Sequence, residues 1–123
     1  MSKNLPYDRT ERVADAIYHL ISQKMLTDIS DPRLDGIHVT KVKMTRDLRI
    51  ARIYFHMNDA SDERKASANK GFKSATGYFR CLIGQELSLK FTPEVEFYYD
   101  DAIDAHERIE DLLARIKEDK AHG

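Results

Sequence analysis

Tryptophan is absent from this chain and cysteine occurs once, at position 81. A single thiol excludes an internal disulfide and suits a reducing, cytoplasmic compartment. No apolar run approaches the ~18 residues that a membrane-spanning helix needs. The opening Met1-Ser-Lys-Asn-Leu-Pro-Tyr-Asp8 lacks the apolar core of a signal peptide. Glycine-rich phosphate loops and the HExxH zinc pattern are also missing. The five histidines, at 19, 38, 56, 106 and 122, are scattered. Asp100, Asp101, Asp104, His106 and Glu107 do cluster, but acids at the start of a helix are expected from its dipole. Cys81 has no histidine placed beside it by sequence. These absences leave no catalytic reading: the expectation is a protein that is not an enzyme, with no cofactor, metal, membrane or small-molecule substrate.

What is present is charge, and its distribution matters more than its sum. The net charge is −1, which on its face argues against a polyanion partner. Residues 41–90 carry 11 basic and 5 acidic groups, whereas residues 91–123 carry 4 basic and 10 acidic. A polyanion would therefore meet the middle third. With 41% hydrophobic residues over 123 positions, the chain supports one modest core, and residues 1–123 are expected to form one domain. Order is expected over about 9–116, with frayed ends.

Hydrophobic spacing divides the chain. Val13, Ile17, Leu20, Ile21 and Met25 recur at helical intervals, giving a helix over about 9–27. Arg9 and Arg12, near its N-terminus, oppose the helix dipole and hint at an external anion. Asp31-Pro32-Arg33 marks a turn. Residues 37–45 and 48–57 read as a β-hairpin. Ile37 and Val39 are out of phase with Val42 and Met44, which predicts a bulge near Thr40. Ala51, Ile53, Phe55 and Met57 are expected inward, with Arg52, Tyr54 and His56 outward. Val95, Phe97 and Tyr99 alternate in a third strand, expected parallel to a neighbour because a helical crossover precedes it. A last helix is expected to turn Ile109, Leu112, Leu113 and Ile116 inward. The fold class is α+β, a three-stranded mixed sheet with helices on one face.

The stretch Ser61–Leu89 organises the rest. Ala68, Phe72, Ala75, Phe79, Leu82 and Ile83 form an apolar stripe, while Lys70, Lys73, Gly77, Arg80 and Gly84 occupy the other side. An unbroken helix here would run roughly 44 Å, against a radius of gyration of about 14 Å for a domain of this size. Together with the cost of interior glycines, about 1 kcal/mol each, this predicts two helices joined by a kink near Gly77, whose freed amides and flanking cations suit a phosphate.

Lys41, Lys43, Arg46, Arg49 and Arg52 surround the hairpin and Lys70, Lys73 and Arg80 line the helix pair, so RNA binding is the favoured class, with Tyr54 and Tyr98 as candidate stacking faces. A protein-binding adaptor without direct RNA contact is the alternative. It calls for an exposed apolar stripe, and the pattern leaves none unassigned; for the same reason the chain is expected to be a monomer.

The order of several short motifs sharpens this. Arg12-Val-Ala-Asp-Ala-Ile17, Asp31-Pro-Arg-Leu34, Val39-Thr-Lys-Val-Lys-Met-Thr-Arg-Asp-Leu48, Ala51-Arg-Ile-Tyr54, Ala75-Thr-Gly77 with Phe79-Arg80, Pro93-Glu-Val-Glu-Phe97, Asp100-Asp101, Arg108-Ile109 and Leu112-Leu113 follow one another across about residues 9–116. In this the chain resembles the bacterial ribosome-binding factor A family. The resemblance implies a KH-like fold of the second type, in which an Ala-x-Gly kink, here Ala75-Thr76-Gly77, replaces the Gly-x-x-Gly loop. It implies binding to the free 30S subunit, a role in maturing 16S rRNA including its 5′ region, importance for growth in the cold, and no catalysis. Members of that family often carry a longer, basic C-terminal tail; the last residues here read Lys117-Glu-Asp-Lys-Ala-His-Gly123, so no tail role is expected from them.

Overall fold

The computed structural model describes residues 6–122, with side chains described from Arg9 to Glu118. Helix α1 spans Pro6–Thr27, a 3-10 turn Pro32–Leu34, strand β1 Ile37–Met44 and strand β2 Ile50–Met57. Helix α2 follows over Asp62–Glu86, then strand β3 over Glu94–Tyr99 and helix α3 over Ala102–His122. α1 thus begins three residues before the position that periodicity suggests. α3 runs past residue 116, and the end fraying expected at residues 1–5 and 123 lies outside the described residues.

The sheet order is β1-β2-β3, with β1 antiparallel and β3 parallel to β2. The register slips between Val39 and Lys41. That bulge at Thr40 lets Val39 and Val42 both face the core, as their mismatched phase requires. Ala51, Ile53, Phe55 and Met57 are buried, beneath Ile17 and Ile21 of α1 and Phe72, Phe79 and Ile83 of α2. Phe97 of β3 stacks on Phe72 with centroids 4.2 Å apart and planes at 9°. Both α1 and α2 therefore cover one face of the sheet.

Two expectations fail. The first is the break: α2 is one unbroken helix of 25 residues, not two helices parted at Ala75–Gly77. The stripe Ala68, Phe72, Ala75, Phe79, Ile83 keeps its phase straight through Gly77, so nothing demands a break. At about 37 Å long, the helix matches the diameter of the domain, about 36 Å for a sphere of its radius of gyration; length alone forces no bend. Ser61 caps its start by accepting from the Arg64 amide at 3.1 Å.

The glycines answer to packing. A Cβ on Gly71 would lie 3.0 Å from Leu34 Cδ2 and 3.2 Å from Arg33 Cβ, so Gly71 is what lets the 3-10 turn seat against α2. A Cβ on Gly84 would crowd Thr92 Oγ1 at 3.1 Å. Around Gly77 there is nothing within 4 Å. Gly77→Ala is accordingly expected to raise stability by about 1 kcal/mol, read as a higher urea midpoint with an unchanged slope; a lower midpoint would mean that the helix needs its glycine there.

The second failure is α3. Ile109, Leu112, Leu113 and Ile116 are 44–57% exposed, not inward. Among the described residues the helix is fastened at its first turn only, and every side chain from His106 to Glu118 is exposed. Periodicity shows that a helix has an apolar face; it does not supply the surface for that face to cover.

Candidate nucleic-acid interface

The face of the sheet turned away from α1 and α2 carries the residues that alternate with the core. Lys41 pairs with Tyr54, Lys43 with Arg52, and Arg52 and Tyr54 with Glu96 and Tyr98. Lys41 Nζ stands 4.7 Å from the Tyr54 ring centroid and Lys43 Nζ 6.0 Å. The Tyr54 and Tyr98 rings are 5.6 Å apart at 31°. This is a short aromatic shelf edged by two ammonium groups. Arg52 is less free, with Nε 3.5 Å from Glu96 Oε1, and Tyr98 donates to the same oxygen at 2.7 Å. Lysines over ring faces keep their charge available while their stems pack.

One end of that shelf is closed by the fastening of α3. Thr40 donates to the Asp100 carboxylate at 2.7 Å, and the Ala102 amide donates to its other oxygen at 3.1 Å; the Thr40 bond chiefly holds that carboxyl below the usual range. Tyr99 donates to Asp104 at 2.7 Å, and His56 Nε2 lies 3.0 Å from the other Asp104 oxygen. Asp104 is held low by Tyr99 first and His56 second. Asp100 and Asp104, two of the clustered acids, are engaged here, and among the described residues no three His, Cys, Asp or Glu side chains converge for a metal.

Burial first, then the bond to Asp104 and nearby carboxylates, pushes the Tyr99 hydroxyl up to about 12. A raised tyrosine value stabilises the neutral, folded form fully below its ordinary value near 10, and that contribution disappears as pH rises through about 12. In an alkaline titration followed by tyrosinate absorbance, Tyr99→Phe is expected to remove the last phenol to ionise; loss of an earlier one would disprove the buried bond.

The other predicted cations sit elsewhere. Arg46 and Arg49 are exposed at the hairpin turn, where Asp47 accepts from the Thr45 hydroxyl at 2.7 Å and the Arg49 amide at 3.1 Å. Leu48 takes a left-handed conformation (φ 60°), which turns the chain sharply enough to throw Arg49 outward. Lys70 and Lys73 are exposed on α2, on the opposite side of the sheet from Lys41 and Lys43. Arg80 has internal partners: its guanidinium donates to the carbonyls of Pro93 at 3.2 Å and Thr92 at 3.4 Å and lies 3.6 Å from Glu94. It braces the connector into β3. The fold therefore splits the eight predicted cations into a sheet-face group, a turn pair, a helix pair and a brace. Ala75 and Thr76 are half-buried, and Thr76 donates back to the Phe72 carbonyl at 3.0 Å.

The family pattern of ribosome-binding factor A matches residues 9–113, which include β1, β2, β3 and the start of α3. The chain belongs to the ribosome-binding factor A family. A ribosome-binding factor A of Geobacter sulfurreducens is 42% identical over 114 residues, which cover 93% of this chain and 96% of that one. The Thermotoga maritima protein solved in solution as a putative ribosome binding factor A is 30% identical and superposes with a TM-score of 0.67, over 82% of this chain and 94% of its own. A Thermus thermophilus ribosome binding factor A fitted into the map of a 30S complex shares 16% identity and a TM-score of 0.58, over 72% and 91%, a likeness of fold. The ribosome-binding factor A fold, three helices and a three-stranded mixed sheet, is KH-like.

Proposed function

We propose that this chain is a non-enzymatic assembly factor. It binds the free 30S subunit through rRNA and promotes maturation of 16S rRNA, including its 5′ region, in the cytoplasm and with importance in the cold. The carrying observation is the uncovered sheet face, where Lys41 and Lys43 flank the Tyr54–Tyr98 shelf. Cations there hold phosphates and give salt-dependent, weakly sequence-specific affinity, and the rings offer stacking to unpaired bases. Lys70 and Lys73 extend contact to a second side of the molecule, with Arg46 and Arg49 between. Family membership, and a relative fitted on a 30S complex, support the same partner.

The test is sedimentation of the purified protein with isolated small subunits, large subunits and whole ribosomes across a salt series. Association with small subunits that weakens with salt is the expected result; association with no ribosomal particle would end this reading. One observation favours a second reading, a protein-binding adaptor: the bare stripe Ile109, Leu112, Leu113 and Ile116 is the exposed apolar face that reading calls for. Under it, removing residues 106–123 abolishes particle binding and neutralising the sheet lysines does nothing.

A further inference from the structure

Phe91 is 51% exposed, in the connector between α2 and β3, and cations gather around it from three parts of the chain. Arg49 Cζ of the hairpin turn stands 4.5 Å from its ring centroid, and Lys90 Nζ stands 5.4 Å away. Arg9 of α1 lines the same groove, with Asp47 and Leu48 completing its walls. Arg9 also borders the adjoining groove, which Arg12 lines beside Leu89. None of Arg9, Arg12, Arg49 and Lys90 has a carboxylate within ion-pair distance among the described residues, whereas Arg33, Arg52 and Arg80 do. Asp47, the acid in the groove, is engaged by Thr45 and the Arg49 amide.

The ring is also held in place. Arg80 grips the carbonyls of the two residues after it, and the Glu94 amide donates to the Arg49 carbonyl at 2.8 Å, which ties the connector to the turn. A benzyl group that packs into no core, on a braced loop, beside a guanidinium plane and under unpaired cations, has the composition of a base-stacking platform with phosphate holders.

We propose that Phe91 and Arg49 stack one unpaired nucleobase of a single-stranded RNA segment, while Arg9, Arg12 and Lys90 take the flanking phosphates. The site lies at the turn end of the sheet, apart from the Tyr54–Tyr98 shelf. It rests on the RNA-binding reading and adds a second, single-strand subsite to it.

The chain has no tryptophan, so Phe91→Trp introduces the sole indole at the site itself. With a twelve-nucleotide single-stranded RNA as probe, Phe91→Ala is expected to bind about ten-fold more weakly and Phe91→Trp to bind as the unaltered protein does. RNA should quench the indole emission, and inorganic polyphosphate at matched charge should not. Arg9→Ala with Arg12→Ala should lower affinity and flatten its salt dependence. Equal RNA affinity for Phe91→Ala would overturn the proposal, as would equal quenching by polyphosphate. So would displacement of the RNA by polyglutamate at equal charge, which would mark a general polyanion surface. In each of those cases salt-sensitive sedimentation with small subunits leaves the assembly-factor reading standing. A protein that binds neither the RNA nor small subunits brings down both.

Discussion

Phe72→Ala is expected to cost about 3–5 kcal/mol of folding stability and to lower the thermal midpoint by roughly 10–20 °C for a chain of this length. Phe72 is 1% exposed. Its ring lies 4.8 Å from Phe55 of the central strand and 4.2 Å from Phe97 of the last one. Removing it empties the space between α2 and two strands at once, and neither rigid ring can move in to fill it. Against total stabilities of about 5–15 kcal/mol, the loss consumes about a fifth or more. Urea unfolding followed by circular dichroism decides: a change under about 1 kcal/mol would mean that α2 does not seat on the sheet through this residue. The exposed Phe91→Ala serves as the matched control, since it leaves no hole.

Changing Lys41, Lys43 and Arg46 together to alanine is expected to have the largest effect on small-subunit binding. These three are on β1 and its turn, and none is paired with a carboxylate among the described residues. Their removal should therefore cost little stability, the contacts of Lys41 and Lys43 with the Tyr54 ring being what is lost. If each neutralises one phosphate, the slope of log affinity against log salt should fall in magnitude by about three, with affinity near physiological salt at least about a hundred-fold lower. The parallel triple change Lys70/Lys73/Arg80→Ala is expected to act differently. Lys70 and Lys73 contribute at most two units of slope, and loss of Arg80 frees the Thr92 and Pro93 carbonyls and lowers stability. If the helix triple abolishes binding while the β1 triple spares it, the interface belongs on α2 and the sheet face loses its role.

Much of the architecture could be read in advance because strand burial writes itself into alternation. Ala51, Ile53, Phe55 and Met57 announce their face, and the phase slip between Val39 and Val42 announces the bulge. The helices were legible as helices and less so in their surroundings. Gly77 looked like a break because glycine has poor helix propensity, yet the unbroken phase of Phe72, Ala75, Phe79 and Ile83 was the stronger signal. The stripe of α3 looked like core because an amphipathic pattern is identical whether or not a partner is present. At the site, charge was readable and availability was not. Arg80 and Lys73 look alike in sequence; only the path of the connector, which brings the Thr92 and Pro93 carbonyls beneath Arg80, separates a brace from a free cation. Phe91 gave no signal as a lone aromatic between Lys90 and Thr92, since its neighbours Arg9 and Arg49 are distant in the chain.

The parallel pairing of β3 with β2 also dictates when this protein can exist. The hairpin is local in the chain, but the partner of Ile53, Phe97, is made after the whole of α2. A growing chain that has not reached residue 94 holds a central strand with one side unpaired, and Phe72 without its stacked neighbour. Such an intermediate exposes the edge of its central strand and an oily surface to any other unfinished chain. The final six-residue strand is thus the step that converts an adhesive fragment into a molecule with a closed interior.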